Sequence, residues 1–543
     1  MKNNLLKFLL FGTVLVGLNL LAAFAFVRWD ATEEKRYTVA DATKKMLQNL
    51  DGQVLVKVYL TGDFPPGFER LEGAIKETLA SFSDYSGANL AYRFIEPKDP
   101  ALQDELMKKG LLPTNLFANE DGKKTERLVF PGALLVYEGK EYPVQLLKGN
   151  KSNSSEEQLN QSYENVEFEL ASAIRQLTQK KRQKIAILVS HTQVPPPRFS
   201  DLIATLQARY DVFFDLNNPA NYDGMDALII PKPDLPFSED DKFKIDQFIV
   251  KGGKALFFVD GARVDSVSLE GTFAQPSGLN LDDLLFKYGC RINQNLVKDL
   301  SCAYIPLNVG NMGDQPQIKP MPWRFFPLVN NFGNHPIVRN LDAVYTRFPS
   351  SIDTVAVAGI KKTPLLLSSQ YTKLLKAPAL VAYNEARQQP DPRTYNGGVQ
   401  TLALLLEGSF VSLFNNRILP TDPRSAGFVS GGKTSKILVC ADGDLIVNDI
   451  DYKRNAPLPL GYDRLSQNTF ANKDFVIYAL EYLLDADGLI TARNKQITLR
   501  PLDKIKLKEE RTQWQILNLL GPLVWVGLIG VGWQWRRKRR YGQ

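Results

Sequence analysis

Glu239–Asp260 reads EDDKFKIDQFIVKGGKALFFVD, and this stretch decides the fold. Glu239–Val250 has helical spacing, Gly252-Gly253 stops the helix, and Ala255–Asp260 (ALFFVD) is a continuous apolar run ending in a carboxylate. A strand apolar on both faces belongs in a parallel sheet covered by helices on both sides. Ile185–Ser190 (IAILVS), Val212–Asp215, Ala227–Ile230 and Ile437–Ala441 are further strands. Helices are expected over Phe199–Tyr210, Leu279–Tyr288 and Asp474–Leu484. Strands alternating with helices give an open, doubly wound α/β sheet, assigned to residues 184–490. The middle, 301–434, is rich in Pro, Gly and Asn, and its pattern yields no topology.

A smaller α/β unit, 38–150, precedes it. Gln53–Leu60 and Asn89–Ile95 read as strands, and Pro100–Gly110 as a short helix. Phe68–Phe82 places Phe68, Leu71, Ile75, Leu79 and Phe82 on one helical face. Glu126–Leu135 and Leu135–Leu147 form the expected hairpin around Glu138-Gly139-Lys140. This β-α-β-α-β-β order resembles a thioredoxin-like domain. The loop after its first strand reads Asp63-Phe64-Pro65-Pro66, which has no thiol for disulfide exchange. Residues 151–183 follow as linker and helix: Lys148–Gln161 is polar, Tyr163–Leu177 is amphipathic, and the basic run Lys180–Lys184 closes it as a solvated helix end.

Two long apolar segments flank this body. Leu5–Val27 and Ile516–Trp533 are each close to the roughly 20 residues that span a bilayer. The spans are assigned to residues 5–27 and 514–535, with a connector at 491–513 and a basic tail at 536–543. Lys2 and Lys7 start the first segment, and Arg536–Arg540 (RRKRR) follows the second. Basic residues beside a span stay cytoplasmic, so both termini are expected there, with the body outside an inner membrane. Trp514, Trp525, Trp533 and Trp535 include interfacial anchors. The competing reading of the first segment is a cleaved signal peptide with its site at Ala23-Phe24-Ala25, although the apolar run exceeds the usual h-region. The formal net charge of +7 equals the charge of those seven flanking basic residues, so the body is close to neutral. Nothing in that balance calls for nucleic acid.

Candidate chemistry is sparse. Gly427–Thr434 (GFVSGGKT) spells a phosphate-loop pattern, but turn residues precede it and the strand KILVC follows, the reverse of the strand-loop-helix order that the chemistry needs. Asp442 and Asp444 stand at a strand end, where open α/β sheets collect ligands; the reading is an acidic turn, against a hard-cation site lacking further ligands at fixed spacing. His191 follows a strand and His335 lies in a turn, and both read as structural. Two histidines and three cysteines leave almost no room for a zinc site. Cys290 and Cys302 are near enough in sequence to pair, whereas Cys440 reads as a core thiol. No catalytic, cofactor or metal residue is assigned, and no cofactor is expected.

Gly62–Leu79, Met225–Pro233, Phe237–Asp260, Trp323–Asp342, Leu458–Asp485 and Leu499–Leu523, with the basic tail, resemble the gliding-motility ABC transporter auxiliary proteins, the GldG family. The resemblance implies a large domain similar to glutamine-amidotransferase-like and intraflagellar-transport domains without their nucleophile. It also implies a separate permease and a cytoplasmic ATPase as partners, with envelope cargo or gliding machinery outside. The expected role is a non-enzymatic auxiliary, substrate-binding-like subunit. The competing classes are a degenerate envelope hydrolase built on the carboxylates near Asp442, and a passive scaffold.

Overall fold

In a computed structural model, described over residues 10–14, 16–17, 38–120, 123–148, 155–215, 222–313, 315–418, 421–494 and 510–542, the inner strands of the large sheet alternate their side chains between two cores. Leu256 and Phe258 enter one core while Ala255 and Phe257 enter the other; Leu438 and Val439 divide the same way. Burial on both faces is what makes these runs continuously apolar.

The chain forms two units by its own contacts, residues 1–495 and 496–543. The first begins with α1 (Asp41–Gln48), β1 (Val54–Val58), α2 (Pro66–Ser86), β2 (Leu90–Phe94) and α3 (Pro100–Lys108). The expected face of α2 is buried at all five positions. β3 (Thr114–Glu120) and β4 (Lys123–Val129) make one hairpin, and β5 (Gly132–Tyr137) and β6 (Lys140–Gln145) another. A strand across Glu126–Leu135 is therefore incorrect: the chain breaks at Phe130-Pro131, where proline cannot extend a ladder. The turn at Glu138-Gly139 stands as expected, both residues at positive φ. The sheet order is β2-β1-β5-β6, with β1 and β2 parallel and β5 antiparallel to β1.

The polar stretch before residue 162 is not all linker. α4 runs Ser155–Thr178, and the basic run lies beyond its end, with Lys184 already in β7 (Lys184–Ile187). The order continues α5 (Ser200–Arg209), β8 (Asp211–Phe214), β9 (Ala227–Pro231), α6 (Glu239–Val250) and β10 (Lys254–Phe258). A Ser238–Asp241 capping box starts α6. At its end Gly252 takes φ +100°, and a Cβ on Gly253 would stand 2.4 Å from the Phe248 ring, so the double glycine is required sterically.

α7 occupies Asp282–Tyr288, shorter than expected. β11 (Cys290–Ile292) and β12 (Asn295–Asp299) come next, and the unassigned middle then resolves into the long hairpin β13 (Cys302–Met312) and β14 (Gln315–Val329), and β15 (Asn331–Phe332). β16 (Ile352–Thr354), β17 (Ile360–Leu367), β18 (Thr372–Lys376), β19 (Thr401–Val411) and β20 (Gly431–Cys440) follow, before α8 (Asn472–Leu484). The eight-stranded order is β15-β17-β19-β20-β10-β9-β7-β8. β8, β7, β9, β10 and β20 are parallel, whereas β19, β17 and β15 extend the sheet antiparallel. The sheet is thus mixed rather than uniformly parallel. α4, α5 and α8 cover one face, and α6 and α7 the other.

In the second unit α9 (Arg511–Tyr541) is long and apolar enough to cross a membrane, and none of its residues is buried. Its apolar part, Ile516–Trp533, rises about 27 Å at 1.5 Å per residue, close to a hydrocarbon core. Most of Leu5–Val27 lies outside the described residues; 10–14 and 16–17 are helical.

Candidate functional site: a lysine among three strand-end carboxylates

β9, β10 and β20 end side by side, and the residues just beyond them converge. Lys232 follows β9, Asp260 follows β10, and Asp442 and Asp444 follow β20. The three carboxylates lie within 4.8 Å of one another. Lys232 Nζ stands 3.1 Å from Asp260 Oδ2 and 2.5 Å from Asp444 Oδ2. To reach there Lys232 adopts φ +43°, a left-handed conformation rare for a side chain between two prolines. Gly443 makes room, since a Cβ there would meet Lys232 Cγ at 2.6 Å.

Backbone amides answer the second Asp260 oxygen and both oxygens of Asp442. Gly443 N–H donates to Asp260 Oδ1 (2.6 Å), Asp444 N–H to Asp442 Oδ1 (2.8 Å) and Arg347 N–H to Asp442 Oδ2 (2.8 Å). The Asp442–Asp444 contact is the acidic turn expected from sequence. Burial pushes Asp442 well above the usual carboxylate range, with Asp444 and Asp260 adding to it. Burial also raises Asp260, against the pull of Lys232. For Lys232, burial opposes the charge, but Asp260 and Asp444 outweigh it and hold the ammonium above its ordinary value. A second ion centre lies alongside: Arg347 forks onto Asp449 at 3.1 and 2.8 Å, and Arg198 reaches Asp449 at 3.3 Å.

The ammonium stands where a bound cation would. The cavity touching Asp260 holds about 20 Å³, room for one water. The cluster ties three strand ends together. Sequence reading named Asp442 and Asp444 but did not group Lys232, Asp260 and Arg347 with them; their shared signal was position at strand ends.

The other candidates fall elsewhere. Gly427–Thr434 runs from a turn into β20 without a helix after it, and Lys433 is exposed. His191 stacks on Phe237 at 3.9 Å, with Nδ1 2.9 Å from Ser190 Oγ and Nε2 3.4 Å from Asp241. Ser190 also donates its hydroxyl to Asp215 (2.6 Å). His335 is buried and its Nδ1 accepts from Ile337 N–H (3.2 Å), a structural cap. Cys290, Cys302 and Cys440 are free thiols, and burial pushes Cys290 up to about 12 and Cys302 to about 11. In the smaller unit the strand-end loop places Thr61 and Phe64 against a crevice of about 270 Å³.

The family described as an ABC-type uncharacterized transport system matches residues 182–479, a span that includes every residue of the strand-end cluster. The chain belongs to that family. Its membership supports a transporter auxiliary role, with association to transporter components. A domain of unknown function, DUF7088, matches residues 33–136, most of the smaller unit. No curated protein matches the chain. Among solved structures the mmIFT52 N-terminal domain is similar at 12% identity, covering 56% of this chain and 99% of that one, with a TM-score of 0.32.

Proposed function

We propose that the protein is a membrane-anchored, non-enzymatic auxiliary subunit of an ABC transporter of the gliding-motility (GldG) kind. The family membership over 182–479 carries this reading. The exposed apolar helix α9, with Lys538, Arg539 and Arg540 in its last turn, supports anchoring with that end cytoplasmic. The α/β body is then periplasmic, and Leu5–Val27 is the second span. The β2-β1-β5-β6 order favours a thioredoxin-like smaller unit, used here without thiols. A cluster whose carboxylates are answered by Lys232 and backbone amides supports a non-catalytic body. A separate permease and a cytoplasmic ATPase complete the complex, and the body contacts envelope cargo or gliding machinery.

Affinity purification of the tagged protein from mild detergent tests this. A permease and an ATPase should co-purify in fixed ratio; recovery of the protein without either would reject the reading.

A further inference from the structure

We propose that the groove between α7, the β11–β12 turn and β18 receives an acidic, extended peptide segment of a partner protein. The groove holds about 830 Å³, within the range of sites that enclose a few residues. It opens beside the strand-end cluster, sharing Asp282, Ile292 and Gln294 with the small cavity at Asp260. That places it at the carboxyl ends of the parallel strands, where open α/β sheets bind ligands.

Charge argues for the occupant. Lys287, Arg291, Lys376 and Arg417 line the groove against Asp282 and Asp283. Asp283 is taken by Lys242 (3.1 Å) and faces Arg417 at 3.7 Å, while Arg291 holds Asp353 at 2.9 Å. Lys287 and Lys376 are exposed and have no ion pair among the described residues. The groove therefore presents two free ammonium groups, in a body that is otherwise close to neutral. Phe286 and Leu374, 52% and 40% exposed, line the same groove. The Gln294 side-chain amide adds a donor and an acceptor. A peptide with carboxylates, apolar side chains and backbone amides meets all three features. A polyphosphate meets only the first.

The inference does not rest on the transporter reading, and its assay contains no permease or ATPase, so either can fail alone. Full-length protein in detergent is titrated into a fluorescein-labelled peptide of alternating Glu and Phe, with a Lys-Phe peptide as control, and anisotropy is read at low and high salt. Saturable binding of the acidic peptide alone is expected, weakening as salt screens it. K287E/K376E should lower affinity at least tenfold and the neutral K287Q/K376Q several-fold, with the unfolding temperature unchanged. K433E, on β20 outside the groove, should bind as wild type. Absence of saturable binding, equal binding by K287E/K376E, or tighter binding of polyphosphate or phosphatidylglycerol vesicles would each overturn the proposal.

Discussion

Lys232 is the residue on which the strand-end cluster turns. Its ammonium is the counter-charge at hydrogen-bond distance from Asp260 and Asp444, and breaking a buried ion pair by deleting one partner typically costs about 3–5 kcal/mol. Lys232→Met should therefore destabilise the body by about that much in denaturant unfolding. The pH dependence has a definite sign. Asp260 and Asp442 have native pKa values raised above the unfolded ones, so above the ordinary carboxylate range the native state binds more protons and stability falls as pH rises. Losing the ammonium raises those values further. The deficit of Lys232→Met should be larger at pH 7 than at pH 4, and an equal deficit at both would refute the account. His335 has the opposite sign. Burial lowers it to about 4 from 6.5, so the unfolded chain binds the extra proton and stability is lost as pH falls from about 6.5 toward 4. His335→Asn, with a side-chain carbonyl to accept from Ile337, should flatten that part of the stability profile; an unchanged slope would assign it to other groups. Neither environment was legible locally. Lys232 sits between prolines, and its partner Asp444 is 212 residues away.

At the scale of elements, α4 joins the smaller unit to the large sheet. On one side it packs against α2, with Tyr163 donating to the Gly67 carbonyl (2.7 Å). On the other, Phe168 and Tyr478 stack edge to face, Ser172 donates to Glu481 (3.0 Å) and Arg175 pairs with Asp485 (2.8 Å). Its early turns read as linker because polar groups carry their burial. Ser162 is buried through hydrogen bonds with Lys148 N–H and the Lys148 carbonyl, which leaves no apolar periodicity to detect. The inner strands of the parallel half, β7, β9, β10 and β20, were legible because each is buried on both faces. β17 and β19 were not, since Pro, Gly and register shifts interrupt them and their pairing is long-range. A helix shared by two sheets should make the body unfold as one cooperative unit. Ala171→Pro removes a mid-helix hydrogen bond at a fully buried position and costs about 3 kcal/mol or more. Calorimetry of this variant should resolve two transitions where wild type gives one; a single shifted transition would count against α4 as the coupling element.

On the scale of the whole body, the two ends of the α/β unit meet at one place. The Ala40 N–H donates to Glu167 Oε1 on α4 (2.7 Å), and α1 packs against the 3₁₀ turn Leu489–Asn494, which itself packs on α4. Ile490 and Ala492 are buried in the same core as Phe168. The chain therefore enters and leaves the body on the helix that also binds its two sheets together. Composition made the flanking apolar segments plain, but their convergence depends on contacts more than 400 residues apart and left no mark on local pattern. For an auxiliary subunit this arrangement has a mechanical consequence. A displacement of either end of the body acts on α4, and through it on both sheets together, rather than on two separate corners. Spin labels at Lys45→Cys and Thr491→Cys, both exposed, with Cys302→Ala as background, measure the junction in the detergent-solubilised protein. A narrow distance distribution is expected, set by packed elements about 8–10 Å apart plus the label arms. Ala492→Arg, which forces a charge into the shared core, should broaden it and lower stability by several kcal/mol. A broad, long distribution in the unmodified junction would mean that the ends are not held together, and the single attachment point would be wrong.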